Sequence, residues 1–204
     1  MTKPVQFWID PICPWCWVTA RWIIEVAPDR GLDITWQPIS LMIKNETSPE
    51  SSHYDAVRWT YGLLRVLESV RSVDESRVGD LYVEYGRRIH HDGERLWDPA
   101  LALAAVGLDT KHAAAADDAQ WDDELRARMD SGLALVGNDV GTPIIAFPDA
   151  DGQVVASFGP VITNVPEHDR ALALWDAFVT VTELPEFWEI KRTRTKRPEF
   201  GARP

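Results

Sequence analysis

Both cysteines of this 204-residue chain stand together, as Cys13-Pro14-Trp15-Cys16, directly after an apolar run, Val5-Gln6-Phe7-Trp8-Ile9, that reads as a buried strand. A strand that feeds a CxxC opening a helix-like stretch narrows the choice of fold and of chemistry at once. Residues at i and i+3 on a helix share a face about 5–6 Å apart, within the separation that a disulfide requires. A sulfur at the helix start faces unpaired N–H groups and the positive end of the dipole, which favours thiolate over thiol. Pro14 suits the first helical position, where its missing N–H would have had no partner. This pattern makes Cys13 the exposed nucleophile and Cys16, one turn further in, the resolving thiol.

Two plainer readings compete. A CxxC can be half of a zinc site, but tetrahedral zinc needs two more ligands. No further cysteine exists, and His90 and His91 are neighbours in a distant polar stretch, so no metal is expected. A structural disulfide is the other option, and cytosolic proteins rarely keep one. The strand–CxxC–helix context favours redox catalysis over both.

At 204 residues and 45% apolar content, the chain can bury a core as one domain, or as one domain with a large insertion. Its formal net charge of −11 argues against nucleic acid and anionic membranes as partners. No stretch has the length of a transmembrane helix, and Met1-Thr2-Lys3-Pro4-Val5 runs straight into the first strand, leaving no room for a signal peptide. A cytoplasmic protein is expected, and in that compartment a CxxC enzyme delivers electrons rather than installing disulfides.

Three blocks follow along the chain. Residues 1–44 read as strand–helix–strand: Ala20, Ile23, Ile24 and Ala27 recur at helical spacing from Cys16, Gly31 stops the helix, and Leu32, Ile34 and Trp36 alternate up to Pro38. Such a unit pairs its strands in parallel. Residues 45–138 read as a helical insertion of four or five helices, with Tyr54, Val57, Tyr61, Leu64 and Leu67 on one stripe and Val78, Leu81, Tyr82, Tyr85 and Ile89 on another. Asp98-Pro99 starts a helix that Gly107 can end, the alanine-rich Ala113 to Ala116 adds a further one, and Trp121 to Val136 completes the set. Residues 139–204 return to strands: Ile144 to Phe147 and Val154 to Phe158 flank a hairpin turn at Asp149-Ala150-Asp151-Gly152, and the helix Ala171 to Val181 covers one face. The result is a mixed four-stranded sheet. The run Lys191-Arg192-Thr193-Arg194-Thr195-Lys196-Arg197 is basic in an acidic protein. It reads as a solvated terminus, or as a clamp on the protein's own acidic surface or on an anionic ligand.

This order resembles an α/β thioredoxin fold of the DsbA type with a large helical insertion. The residues that carry the resemblance are Phe7 to Trp17 and Val140-Gly141-Thr142-Pro143. It implies that Pro143 is a cis-proline packed against the CxxC, and that Thr142 offers backbone hydrogen bonds to a bound thiol substrate. More closely, the chain resembles the mycothiol-dependent nitroreductases of actinobacteria. Cys13-Pro14-Trp15-Cys16-Trp17, Arg21-Trp22-Ile23, Ser40-Leu41, Gly137 to Pro143, Phe158-Gly159-Pro160-Val161 and Lys191-Arg192-Thr193-Arg194-Thr195 carry that likeness. It implies a cytoplasmic reductase with no tightly bound cofactor and with mycothiol as reducing co-substrate. Its partners would then be a small thiol and a small disulfide or electrophile, nitro-heteroaromatics included. The sequence leaves homodimerisation open.

Around the cysteines, Trp15 is expected to stack on substrate and Trp8 and Trp22 to be core. Asp10 either accepts a proton from Cys16 or caps the helix. Asn45 and Tyr54 are candidates to line the cleft, with turn and core roles as the alternatives. His90 and His91 read as solvated helix-end residues, with a ligand-facing role for His90 as the minority view. Two other functions share the fold: a glutathione-transferase or isomerase relative, in which Cys16 would have no task, and a non-enzymatic redox switch.

Overall fold

The computed structural model describes residues 2–204. Its strands form one mixed sheet in the order β2-β1-β3-β4. Strand β1 (Lys3–Ile9) runs parallel to β2 (Leu32–Pro38), with Phe7 opposite Trp36. Strand β3 (Ile144–Pro148) lies antiparallel on the other side of β1, with Phe7 opposite Ile145, and β4 (Val154–Phe158) extends the sheet antiparallel to β3. Helix α1 (Pro14–Arg30) crosses between the parallel strands and stops at Gly31, whose φ of 61° suits a residue without a side chain. Helix α7 (His168–Thr182) packs beside α1: the Trp22 indole donates to the Ala171 carbonyl at 3.0 Å, and Trp22, Phe147, Trp175 and Phe178 form an aromatic cluster.

The buried face of α1 is broader than helical spacing counted from Cys16 suggests. Trp17, Trp22 and Val26 are buried with Ala20 and Ile23, while Ile24 is 38% exposed. The reason is that α1 is covered twice, by α7 through Trp22 and by the helical block through Trp17.

That block lies between β2 and β3 and comprises α2 (Leu41–Lys44), α3 (Tyr54–Arg71), α4 (Val78–Gly86), α5 (Pro99–Ala105) and α6 (Asp122–Val136). The Asp98 carboxylate caps α5 on the Ala100 N–H at 2.8 Å. The alanine-rich segment is a 3-10 helix, Thr110–Asp117, rather than an α-helix. Asp109 and Asp118 set its bounds, accepting from the N–H groups of Lys111 and Gln120.

Three indoles of the strand–helix–strand unit join it to this block, and each sits on a glycine. A Cβ added at Gly86 in α4 would come within 2.3 Å of the Trp17 ring, one at Gly79 within 2.6 Å of Trp36 Nε1, and one at Gly132 in α6 within 2.5 Å of Trp8 Nε1. Gly132 also lets the Trp8 indole reach the Arg128 carbonyl one turn earlier, at 2.8 Å. Around these seats runs a buried ionic network. Glu68, 2% exposed, holds Arg71 at 3.1 Å and Arg128 at 2.9 Å, and Arg71 also donates to the Trp36 carbonyl.

In an open helix Gly→Ala stabilises by about 1 kcal/mol. At Gly86 the sign reverses, because the methyl must displace the Trp17 ring, and overpacking of this kind costs about 1–3 kcal/mol. Gly86→Ala should therefore lower the thermal midpoint. A melting curve checks this, and an unchanged or raised midpoint would show that the seat is not tight.

Candidate active site

After Ile9 the chain turns through Asp10-Pro11-Ile12, and the Cys13 N–H closes the turn on the Asp10 carbonyl at 3.0 Å. Cys13 is then the N-cap of α1, with extended backbone and its Sγ accepting from the Cys16 N–H at 3.4 Å, while Pro14 takes the first helical position. The first sulfur thus does the work of a capping oxygen. Both cysteines are thiols, and Cys13 is buried rather than exposed as expected, at 8% against a fully buried Cys16, because Thr142 from the start of β3 closes over it.

The antiparallel β1–β3 pairing brings Thr142 to the pair from far along the chain. Its peptide to Pro143 is cis, and its carbonyl lies 3.8 Å from Cys13 Sγ. The Thr142 hydroxyl is 3.2 Å from Cys16 Sγ and 2.6 Å from the Trp8 carbonyl. Cys16 Sγ also lies 3.7 Å from that carbonyl and 3.8 Å from the Tyr82 hydroxyl.

Electrostatics correct the expectation drawn from the helix start. Burial pushes the Cys13 thiol up to about 11, outweighing the N–H groups of Cys16 and Trp15 and the charge of Arg194, which act the other way. Burial, followed by the charge at Cys13, raises Cys16 further still. The pair therefore rests as neutral thiols.

Asp10 does not cap α1. Its carboxylate accepts from the Ile12 N–H at 3.0 Å and from the Leu41 N–H at 2.7 Å, so the helix start it serves is that of α2, and it ties the CxxC turn to the helical block. It is 2% exposed, and burial raises it to about 6 against those two hydrogen bonds. Beside this tie opens a cavity of about 470 Å³ lined by Ile12, Leu41, Asn45, Ser51, His53 and Arg95 among others. Asn45 lines this cavity, which reaches Ile12 beside the CxxC but includes neither cysteine. Tyr54 is half-buried at the start of α3 and is not among the lining residues, because α3 turns Ala56 and Val57 to the cavity instead. A larger groove of about 750 Å³, between Pro28, Leu32 and Gly79, contains none of the residues around the cysteines.

The histidines depart from expectation. Both belong to a π-helical turn, Arg87–His91, that continues α4. His90 is not a solvated helix-end residue: its Nε2 donates to the Pro11 carbonyl at 2.9 Å, its ring stacks on Trp17 with planes 18° apart, and burial lowers it to about 4, so it is neutral. His91 Nε2 accepts from the Trp17 indole at 3.1 Å. Together they brace the residues on either side of the cysteines. Among the described residues, no group of three or more His, Cys, Asp or Glu could hold a metal ion, and no helix is long and apolar enough to cross a membrane.

Trp15 is half-buried, and the guanidinium of Arg194 lies over its ring, 5.2 Å from the centroid. The segment bearing Arg194 folds back over α1. Phe200 packs on His90 and His91, and its carbonyl accepts from Arg21. The Glu199 N–H donates to the Thr163 carbonyl at 2.7 Å, and Arg203 makes a two-point contact with Asp92. The sequence marks the basic run but not its target. Tyr82 was legible only as core, and nothing in the CxxC points to a cation so far along the chain.

Sheet, insertion and thiol pair together define a DsbA-like thiol–disulfide oxidoreductase. Residues 12–192 match the Rv2466c-like family, described as mycothiol-dependent nitroreductase Rv2466c, and the chain belongs to that family. It is 31% identical over 197 residues to the uncharacterized protein Rv2286c of Mycobacterium tuberculosis, spanning 94% of this chain and 82% of that protein. Two solved structures share the fold at lower identity. The probable DsbA oxidoreductase SCO1869 from Streptomyces coelicolor has a TM-score of 0.58 at 20% identity, covering 93% of this chain and 100% of that one. The cytosolic disulfide reductase DsbM from Pseudomonas aeruginosa has a TM-score of 0.57 at 17% identity, covering 87% and 98%.

A carboxyl raised in the folded state stabilises the fold below its unfolded value and loses that contribution as pH rises through its folded value. For Asp10 the window runs from 3.8 to about 6. Asp10→Asn removes this titration, so the stability of the variant relative to wild type should rise between pH 4 and pH 7, by roughly 3 kcal/mol at most. Urea unfolding of both proteins across that range checks it, and a constant difference would mean that Asp10 is not raised.

Proposed function

We propose that this protein is a cytoplasmic reductase that takes electrons from mycothiol and passes them, through the Cys13–Cys16 dithiol, to small disulfides or electrophiles. The observation that carries the reading is the division of labour between the sulfurs. Cys13 is the less buried of the two, with the Thr142 carbonyl 3.8 Å away, and Cys16 is fully buried, held by Thr142 and Tyr82. A family description that names mycothiol and nitro reduction supplies the co-substrate.

With a disulfide, Cys13 loses its proton and attacks one sulfur, releasing the other half as a thiolate. Cys16 then gives up its proton, displaces the bound half as a thiolate and closes the Cys13–Cys16 bond, and the two released thiolates take up the two protons that left the cysteines. Asp10, ionised at neutral pH and buried in the turn that leads into the CxxC, takes up the proton from Cys16. With a nitro compound, the dithiol supplies two electrons and two protons, giving the nitroso product and water. Two mycothiol molecules then reduce the enzyme disulfide and leave as mycothiol disulfide. The Thr142 backbone aligns the incoming sulfur against Pro143, Trp15 offers its ring to a flat electrophile, and Asn45 contacts the substrate from the cavity wall. The hydrogen-bonded seat of Cys16 favours redox turnover over adduct chemistry, in which a second thiol has no task.

Two variants test the reading. After incubation with oxidised mycothiol, Cys16→Ser should retain a mixed disulfide on Cys13, whereas Cys13→Ser should form none. Mass spectrometry of intact protein reads both, and equal trapping would overturn the assignment of attacking and resolving sulfur. Trp15→Ala should lower turnover of a nitro-heteroaromatic by about two- to tenfold, the loss of a stacking contact of about 0.5–1.5 kcal/mol. Its thermal midpoint should move little. A large melting shift with unchanged kinetics would make Trp15 a packing residue.

A further inference from the structure

We propose that Arg194, seated over Trp15 at the mouth of the dithiol, forms an anion subsite that selects substrates carrying a carboxylate or similar charge close to the reacting sulfur or electrophile. The inference rests on the reading of Cys13 as the attacking thiol and adds to it the class of substrate.

Four observations converge. First, Arg194 is exposed, but the chain that follows it is held on the fold rather than trailing free. The chain beyond it is pinned by Phe200 on the two histidines, by the Arg21 contact to the Phe200 carbonyl, by Glu199 on Thr163 and by Arg203 on Asp92. Second, its guanidinium lies 5.2 Å from the centroid of the tryptophan between the two cysteines, and it makes no salt bridge among the described residues. A guanidinium stacked on an indole by one face still has its edge donors available for a carboxylate. Third, its charge is felt at Cys13, where it favours the thiolate. Fourth, the protein carries a formal charge of −11. Anions are repelled over most of such a surface, so an unpaired cation on the tryptophan of the CxxC discriminates between charged and neutral substrates of equal size.

Chemically, the subsite acts on the first displacement. The Cys13 thiolate attacks a disulfide sulfur, the new S–S bond forms as the old one breaks, and the departing thiolate takes the electron pair. Arg194 stabilises both a carboxylate on the bound half and the negative charge spread over the sulfurs in the transition state.

The test compares two aromatic disulfides, anionic dithiobis(nitrobenzoate) and neutral dithiodipyridine, reacting with the reduced protein in stopped flow. Wild type, Arg194→Gln, Arg194→Lys and Arg192→Gln are measured, the last as a control for charge on the same segment. Arg194→Gln should lower the anionic-to-neutral rate ratio by about three- to fivefold, the scale of an exposed charge contact. Arg194→Lys should restore part of it, and Arg192→Gln should leave it unchanged. The wild-type preference should also shrink as salt is raised from low to moderate ionic strength. A ratio that is the same in Arg194→Gln as in wild type overturns the proposal, as does an equal fall in Arg192→Gln. These rates use no mycothiol, so failure of mycothiol turnover would count against the proposed function and leave the subsite standing.

Discussion

Indole rings seated on glycines hold this molecule together. The sheet and α1 cannot cover both faces of the CxxC themselves, and the helical block that completes the cover meets them through Trp8, Trp17 and Trp36 on Gly132, Gly86 and Gly79. Each pairing lets a large flat ring lie against helix backbone, which buries much apolar area at a close approach. Trp17 matters most, because it follows Cys16 directly. Its ring is held from one side by Gly86, from another by the stacked His90 and at its N–H by His91. His90 in turn holds the Pro11 carbonyl, two residues before Cys13. The wider π-helical turn places both histidines against one ring, a use of such turns that recurs at functional sites.

Much of this was legible in the sequence because the signals were local. The CxxC after an apolar run, the hairpin turn at Asp149 to Gly152 and the Asp98-Pro99 start of α5 each depend on a few adjacent residues, and the chain folds there as they indicate. What was not legible depended on tertiary approach. Ile24 obeys the helical period yet faces outward, because Trp22 and Trp17 meet covering layers on two other sides. Asp10 holds α2 rather than α1 because Leu41 is brought to it by the parallel pairing of β1 and β2. The histidines looked solvated because their neighbours in sequence are polar, whereas their neighbours in space are Trp17 and Phe200. The target of the basic run lay almost the whole length of the chain away.

The raised values of the two thiols bear on how the first cysteine attacks. The thiolate is the attacking form of a cysteine, and a low-lying thiolate keeps more of it ready. Here burial works against the thiolate at Cys13, and the N–H groups at the helix start do not offset it. The same burial limits the standing concentration of nucleophile, so attack has to draw on groups that act when substrate is present. Asp10 can take a proton at neutral pH, and Arg194 offers a positive charge at the mouth without a partner of its own. Burial keeps the resting thiols neutral, and these two groups reach the CxxC from separate elements, one tied to α2 and one on the returning C-terminal segment.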